Sequence, residues 1–162
     1  MTKTLLDKDT FCTLVLREQD TLFRTAKAIL RNDQDAEDAV QDAICSAFAS
    51  REQLRELDRF RPWLVRILTN KCYDLCRKRR PQVDLADVED YLPAQEPDIH
   101  EQMTLWQAVL RLGEDLRLPV TLFYYEGLSI REIAGILELS EAAVKTRLSR
   151  ARGQLRILLK EM

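Results

Sequence analysis

Apolar residues recur at spacings of three and four through most of this 162-residue chain, the period of an amphipathic helix. From Thr10 to Leu30 the positions Phe11, Leu14 and Val15, then Leu22, Phe23, Ala26, Ile29 and Leu30, predict two core helices that meet near Glu18. Asn32 and Asp33 mark a turn. A third helix is predicted from Asp35 to Ser50, burying Ala36, Val40, Ile44, Ala47 and Phe48 and so turning Asp35, Asp38, Gln41 and Asp42 to the opposite side. Ser50 to Arg61 is polar with weak periodicity and reads as a loop with room for one helical turn. Pro62 suits the first residue of a long helix ending near Arg80, with Leu64, Val65, Leu68, Cys72 and Leu75 inward. The other side of that helix presents Trp63, Arg66, Asn70, Tyr73, Asp74 and Arg77.

Pro81 closes this first block, and Pro93 and Pro97 keep the next stretch from forming a continuous helix. Asp98, with Glu101 in capping-box spacing, predicts a helix that buries Leu105, Trp106, Val109 and Leu110 and breaks at Gly113. A further helix runs from Glu114 towards Tyr125. Leu128 to Arg152 carries the sharpest pattern. Ser129 and Glu132 form a capping box ahead of Ile133, Ala134 and Leu137, and Ser140 caps a second helix. Val144, Leu148, Ala151 and Leu155 follow at spacings of four, three and four. Lys145, Thr146, Ser149 and Arg150 then point outward, flanked by Arg147 and Arg152. This is a helix-turn-helix over residues 129–152. The expected fold is all-α: two small helical domains, 1–81 and 98–162, joined by an acidic flexible linker at 82–97. The second is expected to be a four-helix domain.

Composition agrees with packed cores, at 46% hydrophobic residues. The net charge of −2 conceals a division. Residues 1–81 carry 16 Lys and Arg against 13 Asp and Glu, residues 104–162 carry 9 against 7, and residues 82–103 carry 7 carboxylates and no cation. Two mildly basic blocks are therefore joined by a purely acidic one. No apolar run approaches the roughly 20 residues that span a bilayer, and Asp7 and Asp9 interrupt the place of a signal peptide. A cytoplasmic protein is expected. Cys12, Cys45, Cys72 and Cys76 lack the paired spacing of a zinc site, and His100 is the only histidine. No metal, cofactor or catalytic constellation is therefore expected, and the thiols read as reduced. Cys72 and Cys76 share a helix face at i, i+4, which leaves a redox role open.

The chemistry of the polar faces is less constrained. The cationic and hydroxyl face of the last helix suits a major groove, where Arg reads guanine and Thr or Ser makes small contacts, while Arg147 and Arg152 suit phosphates. It equally suits plain solvation. The aromatic, amide and guanidinium side of the Pro62 helix, ending in Arg77-Lys78-Arg79-Arg80, suits single-stranded DNA, although basic residues at a helix C-terminus also complement the macrodipole. The acidic face at Asp35, Asp38, Gln41 and Asp42 is by itself either solvated or a docking surface.

YYEGLSIREIAGILELSEAAVKTRLSRAR, Tyr124 to Arg152, closely resembles the promoter-reading end of the extracytoplasmic-function sigma factors of bacteria. FRPWLVRILTNKCYDLCRKRR, Phe60 to Arg80, is similar to the segment of that family that opens and reads the upstream promoter hexamer. DAEDAVQDA, Asp35 to Ala43, looks like its polymerase-binding segment. The departures are Glu138 where a turn Gly is usual, Ala142-Ala143 in place of Gly-Thr, and Gly113 where Pro is common. A left-handed Glu138 would cost about 1–2 kcal/mol.

The resemblance implies a dissociable promoter-recognition subunit of RNA polymerase that is not an enzyme. Asp35, Asp38, Gln41 and Asp42 would bind core polymerase. Trp63, Arg66, Asn70, Tyr73 and Arg77 would bind single-stranded promoter DNA, with Asn70 holding a flipped base. Lys145, Thr146, Arg147, Ser149, Arg150 and Arg152 would bind the more distant promoter element as duplex. The linker would thread the polymerase near its active-centre cleft, and an anti-sigma factor is an expected partner. A free-standing helix-turn-helix regulator is the alternative, although it would need no single-strand-reading helix. An acidic-site hydrolase would need Asp35, Asp38 and Asp42 to converge on a metal, whereas they run along a face.

Overall fold

The first helix starts where a carboxylate meets its orphan amides: Asp7 Oδ1 accepts from Thr10 N at 2.7 Å, a bond that holds its carboxyl below the usual range. The computed structural model describes residues 6–79 and 104–160, which form eight α-helices and no strand. Helix α1 (Lys8–Arg17) and helix α2 (Gln19–Leu30) break at Glu18, as the spacing predicts. Arg31 adopts a left-handed conformation at φ 59°, and Asn32 then caps α3 by accepting from Asp35 N at 2.9 Å.

Helix α3 spans Asp33–Ala49 and differs from expectation in its inward stripe. Ala36, Ala39, Ala43 and Ala47 are buried, while Val40, Ile44 and Phe48 are half-buried at its margins. Small side chains let α3 lie close against both α2 and α4. Two 3₁₀ turns, Arg51–Gln53 and Leu57–Arg59, occupy the predicted loop. Helix α4 (Phe60–Arg79) begins at buried Phe60, two residues before Pro62. Pro62 remains in the first turn, where a missing N–H breaks no helical bond. Leu64, Val65, Leu68 and Cys72 are buried, and Leu75 is half-buried.

In the second block, Thr104 and Gln107 form the capping box of α5 (Leu105–Leu110). That cap phases the helix so that Ala108 and Val109 point inward and Leu105 outward, 51% exposed, contrary to expectation. Trp106 is half-buried against Tyr125, ring centroids 5.2 Å apart. The box expected at Asp98 and Glu101 and the linker expected at 82–97 lie outside the described residues. Gly113 precedes α6 (Glu114–Val120), which opens into a π-helical turn at Thr121–Tyr125. Pro119 inside α6 has no N–H to give the carbonyl of Asp115. Arg147 Nη1 supplies a donor there instead, at 3.4 Å.

Helix α7 (Ile130–Leu137) carries the predicted Ser129–Glu132 box, with Glu132 N donating to Ser129 Oγ at 3.0 Å and Ser129 N to Glu132 Oε1 at 2.9 Å. Glu138 ends it at φ 57°, the left-handed turn conformation that the sequence marked as costly for a residue other than Gly. Helix α8 (Glu141–Lys160) follows, capped by Ser140 Oγ accepting from Ala143 N at 3.0 Å, and buries Val144, Leu148, Ala151 and Leu155. Ser129→Ala is expected to lower unfolding stability by about 1 kcal/mol, read as a lower urea midpoint at unchanged m-value.

The two helical blocks pack on one another, α2 against α6 and the π turn, and α4 against α7.

Candidate nucleic-acid interface

Three polar faces emerge from this packing. On α3 the inward alanines turn Asp38, Gln41 and Asp42 to solvent, and Asp35 lies half-buried in the first turn. The carboxylates run along the helix rather than converging, and Asp42 Oδ2 lies 3.8 Å from Lys71 Nζ of α4. An exposed pair of this kind contributes less than about 1 kcal/mol. What remains is a negative strip on a rigid helix, suited to steering a basic partner.

On α4 the same logic exposes Arg66, Asn70 and Arg77 on the side opposite Leu64, Leu68 and Cys72. Arg77 pairs with Asp74 one turn back. Trp63 is half-buried, its ring centroid 5.8 Å from that of Phe60. Tyr73 is half-buried too, and that burial pushes its phenol above the ordinary range, with Glu114 of α6 adding to the rise and Arg147 of α8 opposing it. Arg66 Nη2 stands 3.9 Å from Glu138 Oε1 of the helix-turn-helix turn. The amide, the guanidinium groups and the flanking rings therefore share one face, but part of it is turned towards the second block. Sequence spacing carries no signal of that, because Glu114 and Glu138 lie more than a linker away in the chain.

On α8 Lys145, Thr146, Ser149, Arg150 and Arg152 are exposed, and Arg147 is half-buried. Thr146 Oγ1 donates back to Ala142 O at 3.0 Å. Arg150 Nη1 lies 3.9 Å from Asp115 Oδ2, and Arg152 Nη1 donates to the Tyr124 hydroxyl at 3.1 Å. Asp115 and Tyr124, which the periodicity of α8 could not reveal, thus hold two of the cationic heads in a defined direction. Arg147 is committed to the backbone of α6. The rest form a row of donors and short hydroxyls along an exposed helix that follows a tight turn, the arrangement that enters a major groove.

Among the described residues no group of three or more His, Cys, Asp and Glu is arranged to hold a metal ion, and no helix is long and apolar enough to cross a membrane. Burial pushes the Cys72 thiol up to about 12, which makes it a poor nucleophile. Cys12 and Cys45 are exposed and Cys76 is half-buried.

Comparison with known proteins accounts for both blocks. Residues 14–82 match the sigma-70 region 2 family and residues 102–155 match the sigma-70 region 4 family. The chain is 32% identical over 155 residues to the ECF RNA polymerase sigma factor SigM of Mycobacterium tuberculosis, covering 94% of this chain and 79% of that protein. It is 28% identical over 172 residues to the ECF RNA polymerase sigma factor SigW of Bacillus subtilis, covering 96% and 92%. Among solved structures it resembles the sigma factor RpoE in complex with the anti-sigma factor NepR from Bartonella quintana, with a TM-score of 0.77 at 28% identity over 95% of this chain and 98% of that one. CnrH in complex with the cytosolic domain of CnrY superposes with a TM-score of 0.67 at 31% identity over 96% and 90%.

Proposed function

This chain belongs to the extracytoplasmic-function RNA polymerase sigma factors, and on that footing we propose that three helices divide its work: α3 docks on core polymerase, α4 reads melted promoter DNA, and α8 reads duplex. As a sigma factor it directs promoter-specific initiation. The observation that carries the division is the presence in one chain of two different nucleic-acid faces. One mixes rings, an amide and guanidinium groups on α4, and the other is a row of cations and hydroxyls on α8. A free-standing regulator would use only the second.

Asp35, Asp38, Gln41 and Asp42 meet a basic surface of the core enzyme, where opposed charge speeds encounter and fixes register. Asn70 donates to and accepts from the edge of a flipped base, with Trp63 and Tyr73 available to stack and Arg66 and Arg77 to follow the backbone. Lys145, Thr146, Ser149, Arg150 and Arg152 face the groove. Arg147 contributes by fixing α8 on α6, a role that replaces the phosphate contact expected of it. The acidic stretch from 82 to 97 passes through the polymerase as a nucleic-acid mimic, and bond-making belongs to the core enzyme. The protein works in the cytoplasm, and an anti-sigma partner restrains it, as one does RpoE.

Mixing the purified chain with core polymerase and fragmented genomic DNA, then sequencing the transcripts, tests this reading. Start sites sharing two upstream elements are expected, and scattered starts indistinguishable from core enzyme alone would defeat it. Arg150→Ala is expected to cost about 1–3 kcal/mol at one or two base pairs of the distant element. Uniform weakening across all promoter variants would reduce Arg150 to a phosphate contact.

A further inference from the structure

Each block buries a charged side chain whose partner lies in the other. Glu126, at the end of the π turn, has a side chain with no exposed surface, and α2 provides its cation: Arg24 Nη2 donates to Oε1 at 2.7 Å and Nε to Oε2 at 3.0 Å. Arg24 also lies over the Tyr125 ring, 5.9 Å from its centroid. Arg61 of α4 spans the same seam, donating to Glu126 O at 2.9 Å and to Glu18 Oε2 at 2.8 Å. In the opposite direction Arg117 of α6, itself buried, donates to the Ala28 carbonyl of α2 at 2.7 Å and to Leu112 O at 3.0 Å. The π turn is what delivers Glu126 to this position, a common use of such turns.

From this reciprocal arrangement, and resting on the sigma-factor reading, we propose that Arg24, Arg61, Glu126 and Arg117 form a clasp that keeps the unbound chain closed and unable to read melted DNA until core polymerase has engaged it.

The closed arrangement is selective in what it covers. It sets Glu138 against Arg66 and brings Glu114 and Arg147 into the electrostatic surroundings of half-buried Tyr73, so the single-strand face of α4 is partly occupied. It also holds α4 beside α7 of the helix-turn-helix, so the two DNA-reading surfaces cannot reach separate promoter elements. The α3 strip at Asp38, Gln41 and Asp42 stays exposed. A closed chain can therefore meet polymerase first and DNA second.

The chemistry of the seam suits a switch. Buried ion pairs give back much of their attraction as hydration when they part, so a polar seam opens at smaller cost than an apolar one of equal area. Removing Arg24 leaves a carboxylate that is bare when the blocks are closed and hydrated when they separate, which drives the equilibrium open. Arg24 is one-third exposed on α2, so its loss spares both cores.

The test uses the full chain without polymerase. Arg24→Ala is expected to raise the radius of gyration in small-angle scattering. It is also expected to strengthen binding of a fluorescent single-stranded promoter oligonucleotide about tenfold, the gain when a competent state populated at about one-tenth becomes dominant. Glu126→Gln should move both readouts the same way, with helix content by circular dichroism unchanged for each variant. If both variants keep the wild-type radius and affinity, there is no clasp. If the radius rises without any gain in affinity, the blocks separate but nothing was covered, and the inhibitory role is overturned. Transcripts made with core polymerase keep the two readings apart: wild type and Arg24→Ala should initiate at the same sites, and wild type failing to initiate at defined sites would instead sink the sigma-factor assignments beneath the clasp.

Discussion

Asp38→Arg combined with Asp42→Arg is expected to abolish co-elution of this sigma factor with core RNA polymerase while leaving its helix content unchanged. Both side chains are exposed on α3, whose packing is carried by Ala36, Ala39, Ala43 and Ala47 on the other side. The fold loses little, because the one ion pair involved, Asp42 with Lys71, is long at 3.8 Å and exposed at Asp42, a kind worth less than about 1 kcal/mol. The interface loses far more. Reversing two charges replaces attraction by like-charge contact, a penalty of several kcal/mol that suppresses encounter as well as residence. Gel filtration with core enzyme, paired with circular dichroism, reads both halves of the statement. Wild-type co-elution of the double variant would show that α3 is only a solvated face.

The second large effect is expected at Asn70. Asn70→Ala should reduce transcription from duplex promoters and relax preference at a single base of the upstream hexamer, with core binding and reading of the distant element preserved. Asn70 is exposed, and the buried residues of α4 are Leu64, Val65, Leu68, Thr69 and Cys72, so its truncation changes stability little. An amide that holds an unpaired base by both donor and acceptor is worth more than one stacking neighbour, since the base gives up its pairing to enter. Permanganate footprinting of the open complex should show the same defect on the melted strand. A variant that matches wild type in rate, base preference and footprint would move the base pocket elsewhere on α4.

The local features of this chain were legible because they depend on neighbours in sequence. The break at Glu18, the Ser129 capping box, the Ser140 cap, the left-handed Glu138 and the buried series Val144, Leu148, Ala151 and Leu155 all follow from three- and four-residue spacing. The misreadings arise where tertiary packing overrides size. On α3 the large residues Val40, Ile44 and Phe48 suggested the inward face, yet Ala39 and Ala43 occupy it, because two neighbouring helices press close on α3 and leave room only for methyl groups. Leu105 was assigned to the core from apolarity alone, and the Thr104 cap rotates it outward.

The sequence by itself determined the all-α class, the helix-turn-helix and the residues able to carry each polar face, since amphipathic period and capping chemistry are written within a single helix. Only the tertiary structure decided what those faces meet. That α2 carries the cation for Glu126, that Arg117 reaches the carbonyl of Ala28, and that Arg147 serves the carbonyl left unpaired by Pro119 are pairings across 102, 89 and 32 positions of chain. No periodicity spans such distances. They exist because burying a charge or a carbonyl is costly until a partner arrives, and which partner arrives is settled by how the helices pack.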